Sequence, residues 1–153
     1  MSDTVSTIDS PIDQRRARIR AAAGAMGIDA AYLSQMVDTF YTRIRADARL
    51  GPIFEAAIGD DWGPHLARMK DFWASVALNA GNYSGKPVAV HQKIDGVARG
   101  DFDHWLGLFE KTLHDTAPTP EAVEYLMVRA ERIAQSLRMA MFDRTDTGVP
   151  TLR

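Results

Sequence analysis

The sequence predicts an all-α fold, and three observations predict it. Apolar residues recur at helical spacing over almost the whole chain. No segment of any length alternates apolar and polar residues as a half-buried strand does. Each apolar stripe is bracketed by residues that start or stop a helix. A length of 153 residues suits one domain with a sizeable core. With 46% hydrophobic and 25% charged residues, the composition is that of an ordinary globular protein.

Residues 1–11, rich in Ser, Thr and Asp, read as a flexible N-terminal segment, and 143–153 ("DRTDTGVPTLR") as a polar tail. The domain proper is expected over 12–142. Residues 12–23 suit a short helix rich in Arg and Ala that stops near Gly24 or Gly27. Asp29 is placed to cap the next helix, which carries Leu33, Met36, Val37, Phe40, Tyr41 and Ile44 on one stripe. In "ARLGPIFEAAIG" (48–59), Gly51-Pro52 is expected to break the helix and leave Phe54 in a loop or short turn. Asp60 or Asp61 then caps a helix from about Pro64 to Leu78.

"NAGNYSGKP" (79–87) reads as a loop, and Pro87 can open a short helix holding His91. Asp101 is placed to cap a helix bearing Phe102, Trp105, Leu106, Phe109 and Leu113. Thr119 and Pro120 open a long last helix to about Phe142, with Val123, Leu126, Met127, Ala130, Ile133, Leu137 and Met141 facing inward.

Several function classes fall away. The chain has no cysteine, which removes disulfides, thiolate metal sites, a thiol nucleophile and covalent haem attachment through C-x-x-C-H. With a net charge of −2 and no basic block longer than Arg15-Arg16, nucleic acid is a poor partner. The N-terminus lacks the apolar run of a signal peptide, and no stretch approaches the roughly 18 apolar residues of a membrane span. The chain reads as soluble and cytoplasmic.

What remains is a set of histidines and aromatic residues. His65, Met69, Phe72 and Val76 fall at i, i+4, i+7 and i+11, so His65 lies on an apolar helical face. His91 sits among Val88, Val90 and Ile94. His104 lies off its apolar stripe, and His114 is near a helix C-terminus, where a protonated imidazole suits the dipole; both read as surface residues. Neither His65 nor His91 has a second histidine one turn away for zinc, although Asp95 stands four residues after His91. There is no nucleophile elbow and no phosphate-binding glycine loop. From the residues alone His65 and His91 stay open between satisfied core histidines, the favoured reading, and haem-iron ligands facing an apolar slot. Tyr41 and Trp105 are inward-facing rings whose O–H and N–H need partners.

Taken together, "FYTRIRADARLGPIF" (40–54), "DDWGPHLARMKDFW" (60–73), "GNYSGKPVAVH" (81–91) and "DFDHWLGLFEKTL" (101–113) resemble, in order and near spacing, four blocks of the truncated haemoglobins. The resemblance spans about residues 33–142. The absence of a Gly-Gly pair makes the third group the best match. It implies a two-over-two helical sandwich around non-covalent haem b. It implies His91 as the proximal ligand of a pentacoordinate-type iron, Tyr41 and Trp105 as distal donors that retain O₂ tightly, and His65 as a distal-side gate. Phe54, Met69, Phe72 and Trp73 are implied to line or buttress the pocket, and Arg68 to reach a haem propionate. The implied ligands are O₂, NO and CO.

Two departures stand out. Pro64 directly precedes His65, where the group more often has its proline one place earlier, and the segment before Asp29 is longer than in compact members. Three uses remain open at this point: a ligand-binding haem protein, a haem enzyme for NO dioxygenation or peroxide chemistry supplied by a separate reductase, and a haem-free helical interaction module.

Overall fold

The computed structural model describes residues 10–79 and 96–142. His91, the segment around it and both termini lie outside these residues. The described part is built from six helices and no strand: α1 (Pro11–Ala25), α2 (Ala30–Ala46), α3 (Leu50–Ile58), α4 (Trp62–Leu78), α5 (Gly100–Thr116) and α6 (Pro120–Phe142). Helix α2 packs on α4, and α5 packs on α6. These two pairs are stacked through α2 against α5, with α4 also meeting α6. This is the expected two-over-two arrangement. No helix among the described residues is long and apolar enough to cross a membrane.

Local chemistry accounts for most boundaries. Ser10 accepts from the Asp13 N–H at 3.1 Å, and Pro11 opens α1, where its missing N–H costs nothing. Helix α1 closes with the Ile28 N–H on the Ala23 carbonyl and the Gly27 N–H on that of Gly24, both at 2.9 Å. That is the Schellman pattern, and Ala23 and Ile28 at its two ends are fully buried. Gly27 has φ +89, and a Cβ there would lie 2.6 Å from the Pro118 ring, so only glycine fits. Asp29 then caps α2 by accepting from the Tyr32 N–H at 2.8 Å. Every residue expected on the α2 stripe is buried.

Two prolines sit differently from expectation. Gly51-Pro52 does not break a helix; it lies in the first turn of α3, and Phe54 is helical. The break comes earlier, at Asp47, whose carboxylate accepts from the N–H groups of Arg49 and Leu50. Pro64 likewise occupies the first turn of α4, which starts at Trp62 rather than at the proline. First-turn N–H groups have no partner four residues back, so a proline there forfeits no helical bond. Gly51 also permits close approach: a Cβ would meet the Arg45 carbonyl oxygen at 2.7 Å.

Asp101 is not an N-cap either. It lies in the first turn of α5 and reaches back to accept from the Ala98 N–H at 2.7 Å. It also binds Arg49 through two bonds, Nε to Oδ1 at 2.8 Å and Nη2 to Oδ2 at 2.7 Å, while Nη2 donates to the Gly96 carbonyl. This fork ties α3 to the start of α5. The Arg49 bonds hold the Asp101 carboxyl below its usual range. A depressed folded-state pKa adds stability that is complete above the unfolded value, about 3.9, and fades as pH falls through the folded one. Asp101→Asn is therefore expected to lower the melting temperature at pH 7, with the gap to the parent closing below about pH 4. A gap of equal size at both pH values, by calorimetry, would refute the pairing as a stabilising contact.

Candidate functional site

An aromatic column runs through the sandwich. At its centre Phe40 of α2, 1% exposed, meets Trp105 and Phe109 of α5 edge-on, at 5.4 and 5.1 Å between ring centroids. Phe109 is stacked between Trp105 at 5.6 Å and Trp73 of α4 at 5.0 Å. Such pairings add to the burial of large rings. Trp73 is therefore packed within this column, 3% exposed, and Phe72 beside it, at 5.7 Å, is half-buried.

Tyr41 stands next to this column. Its ring lies 5.1 Å from Phe40, 6.0 Å from Phe54 and 5.2 Å from the His65 imidazole, the last at an interplanar angle of 88°. Burial pushes the Tyr41 phenol above its ordinary pKa. The charged form is the one that suffers from desolvation, so the hydroxyl stays protonated and remains a donor. The Nε2 atom of His65 is shut away from solvent. Trp105 joins the same region through Phe40, whose ring touches both it and Tyr41.

The face of α4 that starts at His65 continues through Met69, Phe72 and Val76, all half-buried. The deepest positions of the helix are instead Trp62, Trp73 and Ala77. Thus α4 sends one row into the α2–α5 core and presents a second, adjoining apolar row headed by an imidazole. Together with Phe54 this is an apolar surface beside three side chains able to donate a hydrogen bond: the Tyr41 phenol, the His65 imidazole and, on the other side of its contact with Phe40, the Trp105 indole. That donor set fits haem with a small polar ligand. Among the described residues there is no cluster of three His, Cys, Asp or Glu side chains able to hold a bare metal ion.

Other predicted residues stand as follows. Arg68 is exposed and paired with Asp61 at 3.3 Å. His104 is exposed, with Nε2 2.9 Å from Asp47, and His114 lies 3.8 Å from Glu110, so both are surface residues as expected. His91 and Asp95 lie outside the described residues.

One residue of the site escaped the sequence reading. Trp62, the first residue of α4, is 8% exposed and packs 6.1 Å from Tyr41 and 5.6 Å from His65. Its position three residues before His65 places it on the same helical face, and that spacing was the available signal.

No family model matches the chain. Over 113 residues it is 32% identical to the Group 3 truncated hemoglobin ctb of Campylobacter jejuni, an alignment covering 72% of this chain and 88% of that protein. The crystal structure of group III truncated hemoglobin from Campylobacter jejuni matches with a TM-score of 0.72 and 31% identity, over 76% of this chain and 94% of that one.

Proposed function

The chain belongs to the group 3 truncated haemoglobins, and from that membership we propose that it is a haem b protein that binds O₂ tightly in the cytoplasm, with NO and CO as further ligands. The observation that carries this reading is the Tyr41 phenol: buried, held protonated by burial, and set edge-to-face against His65. When bound, haem supplies an iron centre able to take a diatomic ligand.

The residues divide the remaining work. His91 would hold the iron, as the resemblance of its block implies, and a neutral imidazole in that role needs an acceptor for its other N–H. Phe54, Met69 and Phe72 line the pocket and exclude water, and Trp73 holds that lining from behind. Arg68, paired with Asp61, would hold a propionate. Tyr41 and Trp105 donate to the partly negative oxygen of a small ligand, which favours retention over delivery. Redox turnover, such as NO dioxygenation, would draw electrons from a separate reductase.

The first test is the absorption spectrum of the purified protein, followed by titration with O₂ and NO. A Soret band that shifts with each gas is the expected result. A colourless protein that takes up no added haem would overturn the reading in favour of a haem-free module.

His65 acts in this scheme on entry rather than retention. His65→Ala is expected to keep haem and to raise the CO association rate severalfold, with O₂ release changed less. A ferric six-coordinate bis-histidine spectrum that disappears in this variant would make His65 an iron ligand instead.

A further inference from the structure

Trp62 is held from outside as well as from within. Its indole N–H donates to Glu55 Oε1 at 3.3 Å. The other oxygen of that carboxylate accepts from Arg45 Nε at 2.9 Å. The Arg45 guanidinium closes the loop by lying 4.3 Å above the Trp62 ring, a cation–π distance. So three helices contribute one residue each: Arg45 from the end of α2, Glu55 from α3 and Trp62 from the start of α4. Arg45 and Glu55 are nearly half exposed, at 46% and 44%, whereas Trp62 is buried behind them. On its inner side Trp62 touches both Tyr41 and His65. The indole thus separates the solvent-facing ion pair from the two polar residues of the pocket.

The backbone beneath Trp62 is suited to movement. The turn that leads into α4 contains Gly59 at φ +61, and Asp61 at the N-cap makes no side-chain capping bond. Gly63 follows Trp62, and a Cβ at either glycine would meet nothing within 4 Å. A first turn without a side-chain cap, flanked by two glycines in open space, opens at low cost relative to a capped helix. The side-chain contacts of Trp62 are then what keep it closed.

We infer that Trp62 is the outer door of the Tyr41–His65 pocket, latched shut by Glu55 and Arg45. Small ligands pass when the first turn of α4 swings the indole away, and His65 is the inner of two barriers. What the door guards rests on the haem-pocket reading; the latch itself does not.

Diethylpyrocarbonate tests the latch without reference to haem, because it acylates neutral imidazole wherever it can reach. Carbethoxylation of His65 in the full-length protein is followed by mass spectrometry, with exposed His114 as internal reference. In the parent His65 is expected to react much more slowly than His114. Glu55→Ala removes both the indole acceptor and the Arg45 partner and is expected to speed His65 modification about five- to tenfold, as two modest surface interactions would. Glu55→Gln keeps an acceptor and loses the ion pair, so it should fall between. Trp62→Ala should give the fastest reaction. Salt should raise the parent rate by screening the exposed pair and leave the Trp62→Ala rate unchanged.

In the haem-loaded protein CO association is expected to rank the variants in the same order. An unchanged His65 rate in Glu55→Ala overturns the latch. Faster His65 modification with unchanged CO entry overturns the door. Failure of every variant and the parent to take up haem would overturn the haem reading, while the acylation rates still decide the latch.

Discussion

Replacing His91 by alanine is expected to strip the protein of haem, leaving little or no Soret absorbance after desalting, while His104→Ala and His114→Ala keep parental haem content. The chain has four histidines and no cysteine, so few side chains can ligate haem iron. Two of the four are accounted for on the surface: His104 lies 2.9 Å from Asp47 and His114 lies 3.8 Å from Glu110. His65 stands in ring contact with Tyr41 and Trp62 at the head of the apolar row. His91 alone ends a block, "GNYSGKPVAVH", that resembles the proximal segment of the family, with Val88, Val90 and Ile94 close to it in sequence. Because haem binds the folded chain, its loss should also lower the melting temperature by linkage. The same fall should not appear between the haem-free forms of parent and variant. Equal haem retention by His91→Ala and the parent would end the assignment.

Tyr41→Phe is expected to speed O₂ release by about tenfold or more. A net hydrogen bond is worth about 0.5–1.5 kcal/mol, and more where the acceptor is charged or buried, and about 1.4 kcal/mol is a factor of ten. The phenylalanine keeps the ring contacts with Phe40, Phe54 and His65, so the change isolates the hydroxyl. CO accepts a hydrogen bond less well, and its release should change less. Trp105→Phe keeps a ring able to pack on Phe40 and Phe109 and loses only the indole N–H; it should act in the same direction. Both donors serve one ligand, so the double variant should fall short of the product of the single effects. Stopped-flow O₂ dissociation on the four proteins measures this. Changes below twofold in both single variants would make these residues packing elements and no more.

Helix α2 was legible in the sequence almost residue by residue. Its cap is a bond over three residues, from the Tyr32 N–H to Asp29, and its stripe repeats at the helical period, so both are local. The start of α6 was legible for the same reason: Thr119 accepts from the Ala122 N–H at 3.1 Å. Where local signals compete, the reading slipped. Local signals predict a break at Pro52 and a start near Pro64, yet both prolines sit inside a first turn that an earlier residue opens. The four blocks of family resemblance carried the reading of Tyr41, His65 and Trp105, and the structure sets the first two in direct ring contact.

The order and type of the helices, the burial stripe of α2 and the presence of an imidazole on an apolar face of α4 follow from the sequence, because they depend on caps and on a period of 3.6 residues. The partners across helices do not. Arg49 finds Asp101 across 52 positions, Phe109 lies between Trp105 and Trp73, and Trp62 is pinned by Arg45 and Glu55 against Tyr41 and His65. These meetings depend on where the axes of α2, α3, α4 and α5 cross and how far each helix is rotated about its own axis. Periodicity specifies which side of a helix is apolar, but the packing of whole ridges against one another specifies which residue on that side meets which.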